Sequence, residues 1–212
     1  GLTSIFANNK SILLPYGFET QNPALQLSND GDKFIIGFVG RIDIYTKGLD
    51  LLIKAFAVFA KEVPQTELWI LGDSDERATL ESTIANQGLS DKIILFGSKF
   101  GYEKDQIMTK MHVFVHPSRN EGLPASVLEA ASMGLPCIVS KATNVAETVE
   151  SFDAGIAVAN ENTKELTAAM INLYHNWKND TLHLKGENAK KMVKTHFAWS
   201  AILPQFDSLY GI

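Results

Sequence analysis

Two carboxylates of this chain, Glu121 and Glu129, stand eight positions apart in a segment of alternating apolar and polar runs. Residues 112–140 predict a buried strand, a polar turn, a helix that opens at Pro124 and ends at Gly134, and a second buried strand. Glu121 would then lie in a loop at the carboxyl end of a strand, and Glu129 about one and a half turns into the following helix. Both side chains can therefore face one crevice.

A pair of cations occupies a similar position earlier in the chain. The apolar run 34–39 has the character of a buried strand and is followed by Arg41, and a short loop then carries Lys47. Apolar residues at helical spacing begin at Leu49. The guanidinium of Arg41 can bind two oxygens at once, whereas the ammonium of Lys47 is a compact point charge.

Together the two segments resemble the signature of glycosyltransferase family 4 in the GT-B superfamily. That signature has a Glu-x7-Glu pair flanking a Gly-x-Pro turn after a strand that ends in Pro-Ser, with Gly-Arg and Lys-Gly elements in an earlier loop. The combination is far more specific than the glutamate spacing, which solvated helix faces often produce. The matching residues are Pro117-Ser118, Glu121-Gly122-Leu123-Pro124, Glu129-Ala130, Gly134-Leu135-Pro136, Gly40-Arg41 and Lys47-Gly48.

The resemblance implies a retaining glycosyltransferase and a role for each charged residue. Arg41 and Lys47 would hold the diphosphate of a nucleotide-sugar donor, whose charge rises as the glycosyl phosphate bond breaks. Glu121 would lie beside the donor sugar and stabilise positive charge at the anomeric carbon. The residues leave open whether this carboxylate attacks covalently or assists a front-face displacement.

The same resemblance implies how the donor is held. Glu129 would accept hydrogen bonds from the ribose hydroxyls and so select a ribonucleotide. The turn before the helix suits the distal phosphate because a helix N-terminus favours an anion. No metal or other cofactor is expected. The remaining donor-binding residues, which would contact sugar, phosphate or base largely through the main chain, are Gly40, Gly97, Ser98, Gly122 and Leu123.

Strand-like runs alternate with helical segments along most of the chain, which predicts an α/β fold with a parallel sheet and helices on both faces. This is a Rossmann-like fold, and the resemblance identifies it with the C-terminal half of a GT-B fold. Ligands of such sheets bind beyond the carboxyl ends of the strands, so the loops after the first, third and fourth predicted strands suit one crevice. Asn162 and Glu165 fit a capping box for a later helix. The predicted strands are 34–39, 67–71, 92–96, 113–115, 137–139 and 156–158.

The resemblance also divides the chain into three segments. Residues 1–32 resemble a crossing from an N-terminal acceptor domain, 33–195 the donor-binding domain, and 196–212 a terminal helix that returns to the N-terminal domain. The chain thus matches one of two domains, and the acceptor domain would be its partner in the same polypeptide. Three aromatic residues of the terminal helix are predicted to pack rather than to bind ligand: Trp199, Phe206 and Tyr210.

Composition and charge argue against several other classes of protein. The chain has 212 residues, 45% of them hydrophobic, and a formal net charge of -5 at pH 7, with no basic stripe for nucleic acid. No apolar run approaches the roughly 18 residues of a membrane span, and no signal-peptide pattern opens the chain. The single cysteine, Cys137, cannot form an intrachain disulfide, so a cytosolic compartment is expected. The family's polysaccharide and lipopolysaccharide products suggest a bacterial enzyme that associates peripherally with the inner face of the plasma membrane.

Some residues have a second interpretation. Asp73-Ser74-Asp75 matches the metal-binding Asp-x-Asp of the GT-A fold, but it precedes a helical run, where Asp and Ser serve as caps. Because Gly72 is followed by Asp73-Ser74 instead of completing the family's Gly-x-Gly, this turn is not interpreted as a phosphate loop. His112 and His116 would share a strand face, yet two histidines without a third ligand make a poor metal site. All of these features are interpreted as structural.

Two other functions compete with the glycosyltransferase interpretation. A dinucleotide-dependent oxidoreductase needs Gly-x-Gly-x-x-Gly at its first βα turn, and the sequence from Gly40 to Tyr45 lacks it. A non-catalytic nucleotide-sugar-binding module is the stronger alternative, because the chain matches half of a two-domain site. Glu121 and Lys47 would act at the reacting centre and so favour an enzyme, although this chain alone is expected to be inactive as a transferase.

Overall fold

A computed structural model describes residues 17–19, 25–28 and 31–210 of the chain. These residues form a six-stranded, all-parallel sheet in the order β3-β2-β1-β4-β5-β6. The strands are β1 (Phe34–Val39), β2 (Thr66–Leu71), β3 (Ile93–Gly97), β4 (Val113–His116), β5 (Cys137–Ser140) and β6 (Gly155–Val158).

Helices connect the strands and complete the chain. They are α1 (Leu49–Glu62), α2 (Arg77–Asn86), α3 (Gly101–Met108), α4 (Ala125–Met133), α5 (Ala146–Ser151), α6 (Thr163–Lys178), α7 (Leu182–Met192) and α8 (Trp199–Tyr210). A π-helical turn, Val193–Phe197, joins the last two helices. Within the described residues, none of the helices combines the length and the apolar run that crossing a bilayer requires.

The sheet separates two hydrophobic cores because successive strand residues point to opposite faces. Val113 and Val115 of β4 lie in the core covered by α1 and α6, whereas Phe114 lies in the core covered by α4 and α7. β5 shows the same alternation, with Ile138 on the first side and its neighbours on the second. Burial on both faces fixes the register, since a shift of one residue would exchange the two sets.

The α/β, Rossmann-like fold class predicted from the sequence is confirmed. The predicted first strand, 34–39, has the observed bounds, and each other strand differs by one residue at one or both ends. The helix before β5 ends at Gly134, which has a φ of 92°, a value that glycine adopts without a steric penalty. Pro124 occupies the N-cap position of this helix.

The predicted cap of α6 is confirmed in part. The side chain of Asn162 accepts a hydrogen bond of 3.1 Å from the backbone N–H of Glu165. A full capping box would return a bond from Glu165 to the Asn162 backbone. Instead, the Glu165 carboxylate accepts from the Asn162 side-chain amide and from Ala159 N, each at 2.7 Å. The helix start is therefore fixed by a local network of three residues.

Most of the predicted crossing segment, 1–32, lies outside the described residues. Within it, Phe18 N donates a hydrogen bond of 2.7 Å to the carbonyl oxygen of Phe197, and Gly17 lies directly against the ring of Trp199. Trp199 therefore contacts Gly17, and 45% of it is exposed. Phe206 is 36% exposed, and the side chain of Tyr210 lies outside the described residues.

Candidate functional site

Lys47 and Glu121 form an ion pair, although 74 positions separate them in the sequence. Lys47 lies in the loop between β1 and α1, and Glu121 lies in the loop between β4 and α4. β1 and β4 are neighbours at the point where the strand order changes direction, which is where ligands of open parallel sheets bind. The topology thus joins the two residues that the sequence analysis assigned to the reacting centre.

The two loops are also in direct backbone contact. The carbonyl oxygen of Thr46 accepts hydrogen bonds from Arg119 N at 2.9 Å and from Ser118 Oγ at 2.8 Å. Gly48 has a φ of 68°, and a Cβ at this position would overlap the carbonyl oxygen of Pro117. Both the positive φ and the close approach of the second loop therefore require glycine here.

Arg119 connects the loop between β4 and α4, which carries Glu121, to the start of α1. Its guanidinium donates two hydrogen bonds to the carboxylate of Asp50, at 2.8 and 2.9 Å, the two-pronged geometry that gives such pairs their strength. It also donates to the carbonyl oxygen of Tyr45 at 2.6 Å and lies 4.2 Å from the centre of the Tyr45 ring. A further ion pair of 3.1 Å connects its Nε to Glu161.

Asp50 and Arg119 each stabilise the charged form of the other. Partial burial opposes ionisation of Asp50, but the hydrogen bonds and the charge of Arg119 hold its pKa below the ordinary value. The same carboxylate, together with Glu161, raises the pKa of Arg119. Arg119 therefore connects the loop that carries Glu121 to the residues that flank Lys47, namely Tyr45 and Asp50.

His116 lies beneath the Lys47–Glu121 pair and is 1% exposed. Its ring stacks on Phe38 and Phe114, with ring centroids 5.9 and 6.5 Å apart. Its Nε2 lies 3.5 Å from Glu121 Oε2, at the outer edge of hydrogen-bond distance. This histidine, interpreted from the sequence as structural, therefore belongs both to the core and to the site.

The surroundings keep Glu121 ionised and His116 neutral. The contact with His116 and the charge of Lys47 lower the pKa of Glu121 from 4.5 to about 2, although partial burial opposes them. Burial lowers the pKa of His116 below 6.5, although the neighbouring carboxylate has the opposite effect. A neutral imidazole can donate to Glu121 only if its Nε2 carries the proton.

A cavity of about 350 Å³ lies at the carboxyl ends of β1, β2 and β3, where Gly40, Arg41 and Ser98 line it. Gly72 also lines the cavity, has a φ of 149°, and would overlap the Gly40 carbonyl oxygen if it carried a Cβ. Glycine at this turn thus lets two loops approach each other. The aromatic ring of Phe100 stands at the same cavity and is 79% exposed.

Glu129 is paired with a residue that the sequence analysis did not select. Lys104 of α3 donates a hydrogen bond of 2.7 Å to Glu129 Oε2, and the two side chains are 16% and 26% exposed. Lys104 also lines the cavity. Glu129 itself does not line the cavity and is connected to it through the salt bridge with Lys104.

The other predicted residues surround these pairs. The guanidinium of Arg41 lies 2.9 Å from Asp43 and is 71% exposed, so a ligand can reach it. The carbonyl oxygen of Gly122 accepts from Asn144 N at 3.0 Å, and Leu123 packs half-buried against the second core. Neither Gly122 nor Leu123 lines the cavity. Gly97 ends β3 with a φ of 70°.

The acidic tripeptide after β2, Asp73-Ser74-Asp75, forms hydrogen bonds within its own turn. Ser74 N donates to Asp73 at 2.9 Å, and Glu76 N donates to Ser74 Oγ at 3.0 Å, in the turn before α2. Asp73 and Asp75 are exposed. Within residues 17–19, 25–28 and 31–210, no group of three or more His, Cys, Asp or Glu side chains could hold a metal ion.

The sequence signals for the supporting residues differ in strength. Arg119 stands inside the signature segment, two positions before Glu121, so its location could have drawn attention to it. Asp50 and Lys104 carried no such signal, because each depends on a partner that is distant in the sequence. Only the packing of helices around the sheet reveals these pairs.

Comparisons with known proteins relate this chain to glycosyltransferases. The family model described as glycosyl transferases group 1 matches residues 22–192. The phosphatidylinositol N-acetylglucosaminyltransferase gpi3 subunit of Schizosaccharomyces pombe is 28% identical over 169 residues, which cover 78% of this chain and 36% of that protein. CapM, a capsular polysaccharide biosynthesis glycosyltransferase of Staphylococcus aureus, is 25% identical over 222 residues, which cover 99% of this chain and 57% of that protein.

Among solved structures, HepE of Anabaena in complex with UDP and glucose superimposes with a TM-score of 0.73 at 22% identity. The match covers 85% of this chain and 48% of that one. At this level of identity, the likeness shows a shared fold. The chain thus spans between 36% and 57% of the length of the two curated relatives.

Proposed function

Because the chain belongs to the glycosyl transferases group 1 family, we propose that it binds the nucleoside-diphosphate sugar donor of a retaining glycosyltransferase. The observation that carries this proposal is the Lys47–Glu121 ion pair at the switch point of the sheet. It unites a cation suited to a diphosphate with a carboxylate suited to a developing sugar cation. A general structural role would not require these two charges at the ligand-binding edge.

The two cations act on the leaving group. In the transfer, the bond between the anomeric carbon and a diphosphate oxygen breaks, and the diphosphate leaves with the electron pair. Arg41, which is exposed beside the cavity, and Lys47 supply fixed positive charge for the oxygens on which negative charge grows. The acceptor hydroxyl forms the new bond on the same face of the sugar, and its proton passes to the departing diphosphate oxygen.

Glu121 acts on the sugar. Its depressed pKa keeps it ionised at neutral pH, so it can stabilise positive charge at the anomeric carbon. When a donor binds, the diphosphate competes for Lys47 and frees part of the carboxylate for the sugar. The same position is compatible with covalent attack and with assistance of a front-face displacement.

The cavity suits the nucleoside part of the donor. Its volume of about 350 Å³ lies within the range of small-molecule sites. Ser98 lines it and Gly97 directly precedes Ser98, so the main chain of this loop contacts the base, while Glu129 accepts from the ribose hydroxyls. Gly122 and Leu123 follow Glu121 and would offer backbone amides to the sugar or the distal phosphate.

The acceptor is bound elsewhere in the proposed enzyme. The names of the two relatives concern different products, a phosphatidylinositol derivative and a capsular polysaccharide, so the shared region does not set the acceptor. We assign acceptor binding to an N-terminal domain of the same polypeptide. A cytoplasmic location with peripheral association at the membrane surface fits acceptors of both kinds.

The first experiment measures donor binding by the full-length protein. Isothermal titration with UDP, GDP and ADP, with Mg²⁺ and then with EDTA, is expected to give one preferred diphosphate and an unchanged affinity without metal. Lys47→Ala and Glu129→Ala are each expected to weaken that affinity at least about tenfold, because each removes a hydrogen bond to a charged group. This titration also identifies the base.

Lys33→Ala is the matched control. Lys33 lies just before β1, at the opposite end of that strand, and pairs with Glu67 at 2.5 Å, so its loss is expected to leave nucleotide affinity unchanged. The donor-site proposal fails if none of the three diphosphates binds to folded full-length protein. It also fails if Lys33→Ala weakens binding as much as Lys47→Ala does.

A non-catalytic nucleotide-sugar-binding module is the alternative function. Glu121→Gln distinguishes the two, because it keeps the size of the side chain and removes the charge. In an enzyme, this variant loses sugar transfer and retains diphosphate binding. In a module, the wild-type protein transfers no sugar to any acceptor, and the substitution affects binding alone.

A further inference from the structure

Lys104 is the one cation that links the predicted ribose-binding carboxylate to the nucleotide cavity within the described part of the chain. Its ammonium lies 2.7 Å from Glu129 Oε2, and its side chain lines the cavity with Gly40 and Ser98. The pair joins α3 to α4. Lys104 belongs to neither of the two sequence segments that define the site.

The burial of the pair distinguishes it from an ordinary surface salt bridge. The two side chains are 16% and 26% exposed, whereas Glu103, which pairs with Lys99 beside the same cavity, is 64% exposed. Exposed pairs contribute little because solvent competes for both charges. A salt bridge between two partly buried side chains meets less of that competition and holds the carboxylate in one orientation.

The geometry also leaves room for a second set of hydrogen bonds. A carboxylate has two oxygens and about four lone-pair positions, and Lys104 occupies a position on Oε2. Glu129 can therefore hold Lys104 and accept hydrogen bonds from two vicinal hydroxyls at the same time. Holding a flexible side chain in its binding orientation before the ligand arrives reduces the ordering that binding requires.

We propose that Lys104 is a positioning residue for ribose recognition, because its salt bridge holds the Glu129 carboxylate at the nucleotide cavity. This inference rests on the proposed function and extends it to a residue that acts through Glu129. Lys104 is distinct from Arg41 and Lys47, which act on the diphosphate. Its removal is therefore expected to weaken the hydrogen bonds between Glu129 and the ribose hydroxyls.

The test compares a ribonucleotide with its dideoxy form in the full-length protein. Whichever of UDP, GDP and ADP binds best is titrated alongside its 2′,3′-dideoxy analogue. Lys104→Met is expected to weaken the ribonucleotide about tenfold, as loss of a charge-assisted contact would, and to change the affinity for the dideoxy analogue less than about twofold. Lys104→Arg, which can restore the salt bridge, is expected to recover most of the affinity.

Two further variants separate positioning from general effects. Lys99→Met makes the same charge change at the same cavity and is expected to alter the affinity for both ligands by the same factor. Glu129→Gln is expected to weaken the ribonucleotide and to leave the affinity for the dideoxy analogue nearly unchanged, as Lys104→Met does. The variant that carries both substitutions is expected to bind the ribonucleotide no more weakly than the single variant with the lower affinity. Thermal melting of each variant checks that it is folded.

The outcomes are distinct. Equal loss for both ligands in Lys104→Met overturns the inference and assigns Lys104 to the phosphates or to folding. An unchanged affinity for the ribonucleotide also overturns it. In both cases the proposed function survives, because wild-type protein still binds a diphosphate. If no diphosphate binds to the wild-type protein, the proposed function itself fails and the inference fails with it.

Discussion

The charge state of Glu121 depends on two side chains from different parts of the sequence. Lys47 contributes a positive charge, and His116 contributes a neutral ring whose Nε2 lies 3.5 Å from the carboxylate. A second cation in place of the histidine would neutralise more of the negative charge of Glu121. The carboxylate would then stabilise positive charge on the sugar less strongly. Burial between Phe38 and Phe114 keeps the histidine neutral.

This arrangement makes the stability of the protein depend on pH in a specific range. The pKa of Glu121 is about 2 in the folded protein against 4.5 for the free side chain, so its contribution is complete above pH 4.5 and disappears as pH falls toward 2. Glu121→Gln is therefore expected to lower the free energy of unfolding by about 1 kcal/mol at pH 7, a value reduced by partial solvent exposure. At pH 3, most of that difference should be gone, as measured by urea unfolding at each pH.

Glu187→Gln provides the comparison for this measurement. Glu187 is 70% exposed and lies 3.5 Å from Lys190, so its replacement should alter stability little at any pH. If the difference between wild type and Glu121→Gln stays constant from pH 7 to pH 3, the carboxylate is not held ionised by its neighbours.

At the scale of elements, the site depends on the contact between two loops that follow neighbouring strands. Gly48 permits their close approach, and Thr46 accepts hydrogen bonds from the second loop. Arg119 then attaches that loop to Asp50 at the start of α1. The positions of Lys47 and Glu121 thus follow from the packing of α1 against the β4–α4 loop.

Arg119→Met tests this attachment. The variant leaves the carboxylate of Asp50, whose side chain is 27% exposed, without its bidentate partner. We expect a loss of about 2 kcal/mol in the free energy of unfolding, and a lower affinity for the nucleoside diphosphate even where the variant is fully folded. Urea unfolding and isothermal titration measure the two effects separately.

Lys185→Met is the matched control for Arg119→Met. Lys185 of α7 pairs with Asp153 at 2.5 Å, and the Asp153 carboxylate is 69% exposed. A change in the free energy of unfolding below about 0.5 kcal/mol is therefore expected. Should Arg119→Met be as stable as Lys185→Met and bind diphosphate normally, the two loops do not need the guanidinium.

The sequence predicted the elements well because apolar periodicity and terminal signals are local. Strand β1 and the glycine stop at Gly134 needed only neighbouring residues to be recognised. The partners of Glu129 and Arg119 were not predicted, because salt bridges between separate helices and loops depend on how those elements pack. The predicted fourth strand, 113–115, stopped one residue short of His116, and the contact of His116 with Glu121 depends on the path of the following loop.

On the scale of the whole molecule, the described residues form a complete α/β unit. Both faces of the six-stranded sheet are covered by buried residues. In contrast, α8 carries Trp199, Leu203 and Phe206, which are 45%, 51% and 36% exposed. Their spacing places them on one side of the helix, and the contact of this helix with an N-terminal domain stays a prediction.

Residues 1–212 alone are therefore expected to bind the donor without transferring its sugar. Purified residues 1–212 should bind the preferred nucleoside diphosphate, because Arg41, Lys47 and Glu129 are all present and the sheet has two cores of its own. The same chain should show no transfer from a radiolabelled nucleotide sugar, because we assign the acceptor site to another domain. The full-length protein, assayed with membrane lipid and glycan acceptors, should show both activities. Transfer by residues 1–212 alone would mean that the acceptor binds to this domain, and the division between donor and acceptor domains would have to be abandoned.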